Sequence, residues 1–183
     1  MKTMVLTGHK RQEIGLWGEK HPAFPYLKIA YQRKIIQAIE ELSVEWFLNS
    51  GTQGLELYSA SWLLELKKDY PQIKLAMLLP YFAQEKHRKE DVQELYQEVL
   101  GRADYVDYIT KKEYSHPWQL STRNTYMIQK SDGLITFYNG AERTHPWFYI
   151  EEGRKKQGKD GYLLWIIDSD DMQFLVEELN ASY

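Results

Sequence analysis

The sequence predicts a single α/β domain over residues 1–183, Rossmann-like and doubly wound, with a mainly parallel sheet of about six strands flanked by helices. Three observations predict it. Short apolar runs recur along the chain and are near-continuous rather than alternating, as in strands buried on both faces. The segments between them carry a helical period. Strand and helix patterns alternate from end to end, with no Gly-, Pro- or Ser-rich linker and no break in composition.

The first run, "MVLTG" (Met4–Gly8), breaks into "TGHKRQEIG" (Thr7–Gly15). After Pro25, the residues Leu27, Tyr31, Ile35, Ala38 and Leu42 recur at helical spacing. The second run, "VEWFLNSG" (Val44–Gly51), leads into a helix over Leu55–Lys68 that stops at "DYPQ". The third, "IKLAMLLP" (Ile73–Pro80), precedes a helix over Lys89–Arg102 with Val92, Leu95, Tyr96 and Val99 on one stripe. "YVDYIT" (Tyr105–Thr110) is followed by a helix over Trp118–Lys130, and "GLITFY" (Gly133–Tyr138) by one over Trp147–Gln157. "YLLWIID" (Tyr162–Asp168) precedes a last helix over Asp170–Leu179.

Bulk properties narrow the function. The chain has no cysteine, so disulfides and thiolate metal sites are excluded. The net charge of −3 argues against a general nucleic-acid binder, which needs a basic excess. The apolar run near the N-terminus is too short for a signal peptide, and no later run reaches membrane-spanning length. A cytoplasmic location is expected, without membrane insertion.

Parallel sheets bind ligands beyond the carboxyl ends of their strands, so the loops after the strands are the places to look. After the first strand, Gly8 permits a close backbone approach, and Lys10 and Arg11 bring positive charge beside His9. After the second, "NSGTQGLE" (Asn49–Glu56) offers Ser50, Gly51, Thr52 and Gly54 just before a helix. Glycine-turn amides and a helix N-terminus suit an anion, and Ser50 and Thr52 add hydroxyls. A turn glycine plus a helix cap would give the same pattern for folding alone. Glu56, one turn in, would repel a bare phosphate. It suits ribose hydroxyls, or a sugar carbon on which positive charge develops during glycoside cleavage. The third loop, "PYFAQEKHR" (Pro80–Arg88), contributes Gln84. Arg123 and Asn124 on the fourth helix offer a phosphate partner and a mixed donor and acceptor.

The repeats "SHPW" (Ser115–Trp118) and "THPW" (Thr144–Trp147) read as helix starts, with proline in the first turn. No histidine spacing suggests a metal, so none is assigned. Asp132, before the fifth strand, belongs to a turn at the far end of the sheet.

Together, "LTGHK", "SGTQGLELYSA", "PYFAQEK" and "NTYMIQKSDGLITFY" resemble the YpsA family, a group within the SLOG superfamily of Rossmann-like domains. That superfamily is similar to the cytokinin-type phosphoribohydrolases and to DNA-processing protein A. The resemblance implies a nucleotide-type, nucleotide-sugar-type or NAD/ADP-ribose-like ligand around Gly51, Gly54, Glu56 and Gly8. It implies a binding or sensing role linked to cell division or stress responses. The partners it implies are the small molecule, a protein of the division machinery and a second copy in a homodimer. N-glycoside hydrolysis, with Glu56 catalytic, is the alternative. Against it, "FYNGAERTHPWFYIEE" holds the single glycine Gly140 where those hydrolases carry P-G-G-x-G-T-x-x-E.

Overall fold

The computed structural model describes residues 2–181. Its elements are β1 (Lys2–Thr7), α1 (Arg11–Ile14), α2 (Phe24–Leu42), β2 (Val44–Asn49), α3 (Leu55–Leu66), β3 (Lys74–Leu79) and α4 (Glu90–Arg102). They continue with β4 (Tyr105–Tyr108), α5 (Trp118–Gln129), β5 (Gly133–Phe137), α6 (His145–Asp160), β6 (Leu163–Ile167) and α7 (Ser169–Ala181). The six strands form one sheet in the order β4-β3-β2-β1-β5-β6, and every neighbouring pair is parallel.

That order fixes where a ligand belongs. The chain steps outward from β1 to β4, then returns past β1 to lay down β5 and β6. The β1–β5 junction is therefore the topological switch point, where connections diverge and leave a crevice beyond the strand ends. Tyr31 of α2 marks the divergence. Its hydroxyl donates to the Thr7 carbonyl at 2.7 Å and accepts from the Phe137 amide at 2.9 Å, standing where a direct ladder bond would run.

Both sheet faces are covered, which is why the strands read as continuous apolar runs. Met4, Leu6, Phe47, Leu75, Met77, Leu79 and Ile135 face a large core with α2, α3, α4 and α7. Val5, Leu48, Ala76, Leu78 and Leu134 face a smaller core with Met127 and Ile128 of α5 and Tyr149 of α6.

The differences from the sequence reading lie at helix ends. α2 begins at Phe24, with Pro25 in its first turn, and α6 begins at His145, with Pro146 there; proline's fixed φ suits that position. α1 is a four-residue turn, too short to show a period. Asp132 lies at the far end of the sheet as expected. Its carboxylate accepts from the Thr3 amide at 2.8 Å, and its own amide donates to the Thr3 carbonyl at 2.7 Å.

Candidate functional site

The loops after β1, β2 and β5 converge on one side chain, the carboxylate of Glu56. It sits in the first turn of α3 and is 1% exposed. Oε2 accepts from Thr7 Oγ1 at 2.6 Å and from His145 Nε2 at 2.7 Å. Oε1 accepts from the Ser50 amide at 3.1 Å, from the Thr52 amide at 3.3 Å and from the Ser50 hydroxyl. Burial alone would raise its pKa. The His145 ring, the Arg123 guanidinium and the Ser50 hydroxyl outweigh burial and hold it at about 2.

His145 is the first residue of α6. Burial pushes its pKa down, the Arg123 and Lys10 charges push the same way, and the attraction of Glu56 does not restore it. The ring is therefore neutral near pH 7. Because Glu56 is an ionised acceptor, the proton sits on Nε2. The pair carries one negative charge, set beside Arg123.

Glu13 of α1 ties the same elements together from the other side. It accepts from the Lys10 amide at 2.9 Å and from the His145 amide at 3.0 Å, so one acid serves two helix N-termini. His9, fully buried, contacts Glu13 through Nδ1 at 3.2 Å. Its Nε2 accepts from the Asn139 amide at 3.1 Å, which places the His9 proton on Nδ1. The loop after β1 is thereby joined to the loop after β5.

The glycine turn is held from within. Asn49 is fully buried; its Nδ2 donates to the Leu6 carbonyl at 3.2 Å and the Glu56 carbonyl at 2.7 Å, and its Oδ1 accepts from the Gly51 amide at 2.8 Å. Gln84 donates to the Ser50 carbonyl at 2.9 Å, and Arg88 to the Gly51 carbonyl at 2.9 Å. The amides of Ser50, Gly51 and Thr52 thus point at Glu56 and Asn49, and the protein's own carboxylate fills the concavity they form. Gly54 has φ +126°, and a Cβ there would lie 2.5 Å from the His9 carbonyl oxygen and 2.7 Å from the Arg11 nitrogen. Its absent side chain makes room for the loop after β1. Gly8 is pressed in the same way against Leu55 and Tyr31.

Of the remaining sequence candidates, Arg123 and Asn124 are buried neighbours on α5, joined at 3.0 Å. Arg123 also reaches Thr52 Oγ1 at 3.4 Å and lies 5.7 Å from the Tyr149 ring centre. Lys10 and Thr52 are half-buried at the rim. Arg11 is also half-buried but turns outward, with its guanidinium 5.1 Å from the Trp17 ring. Among the described residues no acidic or histidine cluster could hold a metal, and no helix is long and apolar enough to cross a membrane.

The structure thus gathers Ser50, Gly51, Thr52, Glu56, Gln84, Arg123 and Asn124 around one centre, with Lys10 at its rim. Gly8 and Gly54 lie at the packing seam between the first two loops. Sequence reasoning placed His9 in the first loop as a donor beside Lys10 and Arg11, and it missed Glu13, His145 and Arg88. For Glu13 a signal existed in its spacing of three and four residues from Lys10 and His9. The ring of His145 was hidden behind the helix-start reading of "THPW".

Three comparisons bear on this arrangement. The YpsA family, described as the YspA SLOG family, matches residues 4–172. The chain is 39% identical over 178 residues to a UPF0398 protein of Halalkalibacterium halodurans, covering 97% of this chain and 94% of that one. It is 35% identical to UPF0398 protein YpsA of Bacillus subtilis, covering 97% and 98%. Among solved structures it is similar to DNA processing protein A from Helicobacter pylori, described for its single-stranded DNA binding mode. The TM-score is 0.58 at 13% identity, covering 100% of this chain and 81% of that one. At that identity the likeness shows the fold alone.

Proposed function

Because the chain belongs to the YpsA SLOG family, we propose that it binds and senses a nucleotide or nucleotide-derived small molecule where the loops after β1, β2 and β5 meet. The observation that carries this reading is the buried, ionised Glu56 at the switch point. A carboxylate whose oxygens are taken by Thr7, Ser50, Thr52 and His145 acts as a brace. It holds three loops in one arrangement, so that rim groups are positioned before a ligand arrives. Those groups are cationic or hydroxylic. Lys10 Nζ has no hydrogen-bond partner among the described residues, and Thr52 Oγ1 is backed by Arg123. Such a rim suits a phosphate-bearing ligand, with Glu56 supporting it from beneath.

A sensor needs a listener. The family resemblance supplies the direction of the proposal: a cytoplasmic role reported through a protein partner in cell division or a stress response. Nucleic acid is the less suitable ligand for a chain of net charge −3.

One observation favours the alternative, N-glycoside hydrolysis of a nucleotide or NAD-like substrate: an ionised acid touches a neutral histidine in one site. That chemistry requires the carboxylate to meet the sugar, and Glu56 is 1% exposed.

A thermal-shift screen with mononucleotides, NAD and ADP-ribose, paired with chromatography of the same mixtures, separates the readings. Binding predicts a raised melting temperature with the ligand recovered intact. Free base in the chromatogram assigns a hydrolase, and no shift with any compound removes the nucleotide reading. A stabilisation by oligonucleotides that falls steeply with salt would assign nucleic acid instead.

A further inference from the structure

We propose that the groove between the segment joining α1 to α2 and helices α3 and α4 binds a guanine-type base. It would take a flat heteroaromatic ring that presents two N–H donors on one edge. This rests on the nucleotide reading above and names the part of the ligand that lies outside the switch point.

The groove has a volume of about 680 Å³, room for a nucleoside. Trp17 and Tyr58 supply aromatic walls, Val92 and Leu95 apolar surface, and Glu19 and Asp91 two carboxylates beside Lys20 and His21. Trp17 is 64% exposed, an unusual state for an indole that contributes nothing to the core. Arg11 lies 5.1 Å from the centre of its ring. An exposed indole of this kind is a stacking surface for a base, and stacking accepts any flat π-system.

Polarity then selects among bases. Glu19 and Asp91 line the groove together with Tyr58, whose pKa burial raises and the two acids raise further against the opposing charge of Arg11. Ionised carboxylates only accept hydrogen bonds. The Watson–Crick edge of guanine offers two adjacent donors, N1–H and the 2-amino group. The same edge of adenine sets its N1 lone pair beside the amino group, facing the acids with repulsion. Arg11, Gln53 and Gly54 line a closed pocket together with Trp17 and Tyr58 of the groove wall, so the groove lies beside the glycine turn. A base in the groove therefore has Arg11 and the glycine turn as its neighbours.

The test is calorimetric titration of the parent and Trp17→Ala with GMP, AMP, guanosine and ribose 5-phosphate, after thermal melts verify folding. The parent is expected to prefer GMP over AMP by about tenfold or more. Trp17→Ala is expected to weaken GMP by about ten- to a hundredfold while leaving ribose 5-phosphate unchanged. In the double variant Glu19→Gln with Asp91→Asn, the preference for GMP should collapse; this variant also decides the matter if Trp17→Ala fails to fold. GMP binding unaltered by Trp17→Ala, or AMP bound as well as GMP, overturns the groove while leaving the switch-point reading standing. If ribose 5-phosphate does not bind the parent, the switch-point reading falls, and guanosine alone decides the groove. Guanosine binding abolished by Trp17→Ala upholds it, and no guanosine binding overturns it.

Discussion

His145 Nε2 lies 2.7 Å from Glu56 Oε2, joining residues 89 positions apart in sequence, and both side chains are almost wholly excluded from solvent. This contact fastens the first turn of α6 to the first turn of α3. It forms only when the loops after β2 and β5 have taken their final shapes. Both pKa values are lowered, which leaves the acid ionised and the ring neutral, so the His145 N–H donor meets a full negative charge.

Glu56→Gln removes that charge and turns an NH2 group toward donors. Thr7, Ser50, Thr52 and His145 then compete for one oxygen. The expected loss is about 3 kcal/mol of stability. It would be read as a lower urea midpoint at an unchanged slope. Ligand binding should fall with it, because the loops lose their brace. A variant as stable as the parent would show that the carboxylate is not what holds them.

The pH dependence follows from the two shifts. The folded pKa of Glu56 is depressed from 4.5 to about 2, so its contribution is present above pH 4.5 and is lost as pH falls toward 2. The folded pKa of His145 lies below 6.5, so the unfolded chain binds the proton more readily, and stability already declines as pH drops below 6.5. His145→Gln keeps a donor but cannot titrate. It should flatten the decline just below pH 6.5 and, because the His145 ring is the first of the groups that hold Glu56 low, move the Glu56 limb to higher pH, as urea unfolding across pH will show.

Gly54→Ala places a Cβ against the backbone of His9, Lys10 and Arg11 at a φ of +126°. Backbone cannot step aside as a flexible side chain can. A loss of about 3 kcal/mol or more is expected, with lower soluble yield. An alanine variant with the parent's melting temperature would refute the close approach.

Lys10→Ala and Asp132→Ala form a contrast between the two ends of the sheet. Lys10 makes no side-chain hydrogen bond among the described residues, so its loss should leave stability unchanged and weaken a phosphate-bearing ligand about tenfold. Asp132 ties the starts of β1 and β5 together. Its loss should cost about 1 kcal/mol and leave ligand affinity untouched. Calorimetry and thermal melts on both variants read the two effects separately.

Much of the fold was legible because the sheet is buried on both faces. "IKLAMLLP" is apolar from Leu75 onward since Leu75, Met77 and Leu79 face one core while Ala76 and Leu78 face the other. Strand order was not legible, because nothing local in "GLITFY" says that β5 must pair with β1. The convergence of Ser50, Thr52 and Glu56 could be read from spacing within one loop and helix. The direction in which Glu56 points could not. An acid in a first helical turn can face solvent, ligand or protein, and donors from Thr7 and His145 decide it from distant parts of the chain. His145 was hidden for the same reason. Proline after it explains a helix start, and only the fold supplies the acid that occupies its ring.

A nucleotide-type ligand is proposed to sit where the loops after β1, β2 and β5 meet, over a brace built on Glu56. Backbone amide NMR of the labelled protein, with and without saturating GMP, tests it most directly. Shifts are expected to cluster at Lys10 and Arg11, Ser50 to Gly54 and Asn139 to Thr144, extending to Trp17 and Asp91 in the adjoining groove. Shifts confined to the opposite end of the sheet, around Thr3 and Asp132, or no shifts at all, would contradict it.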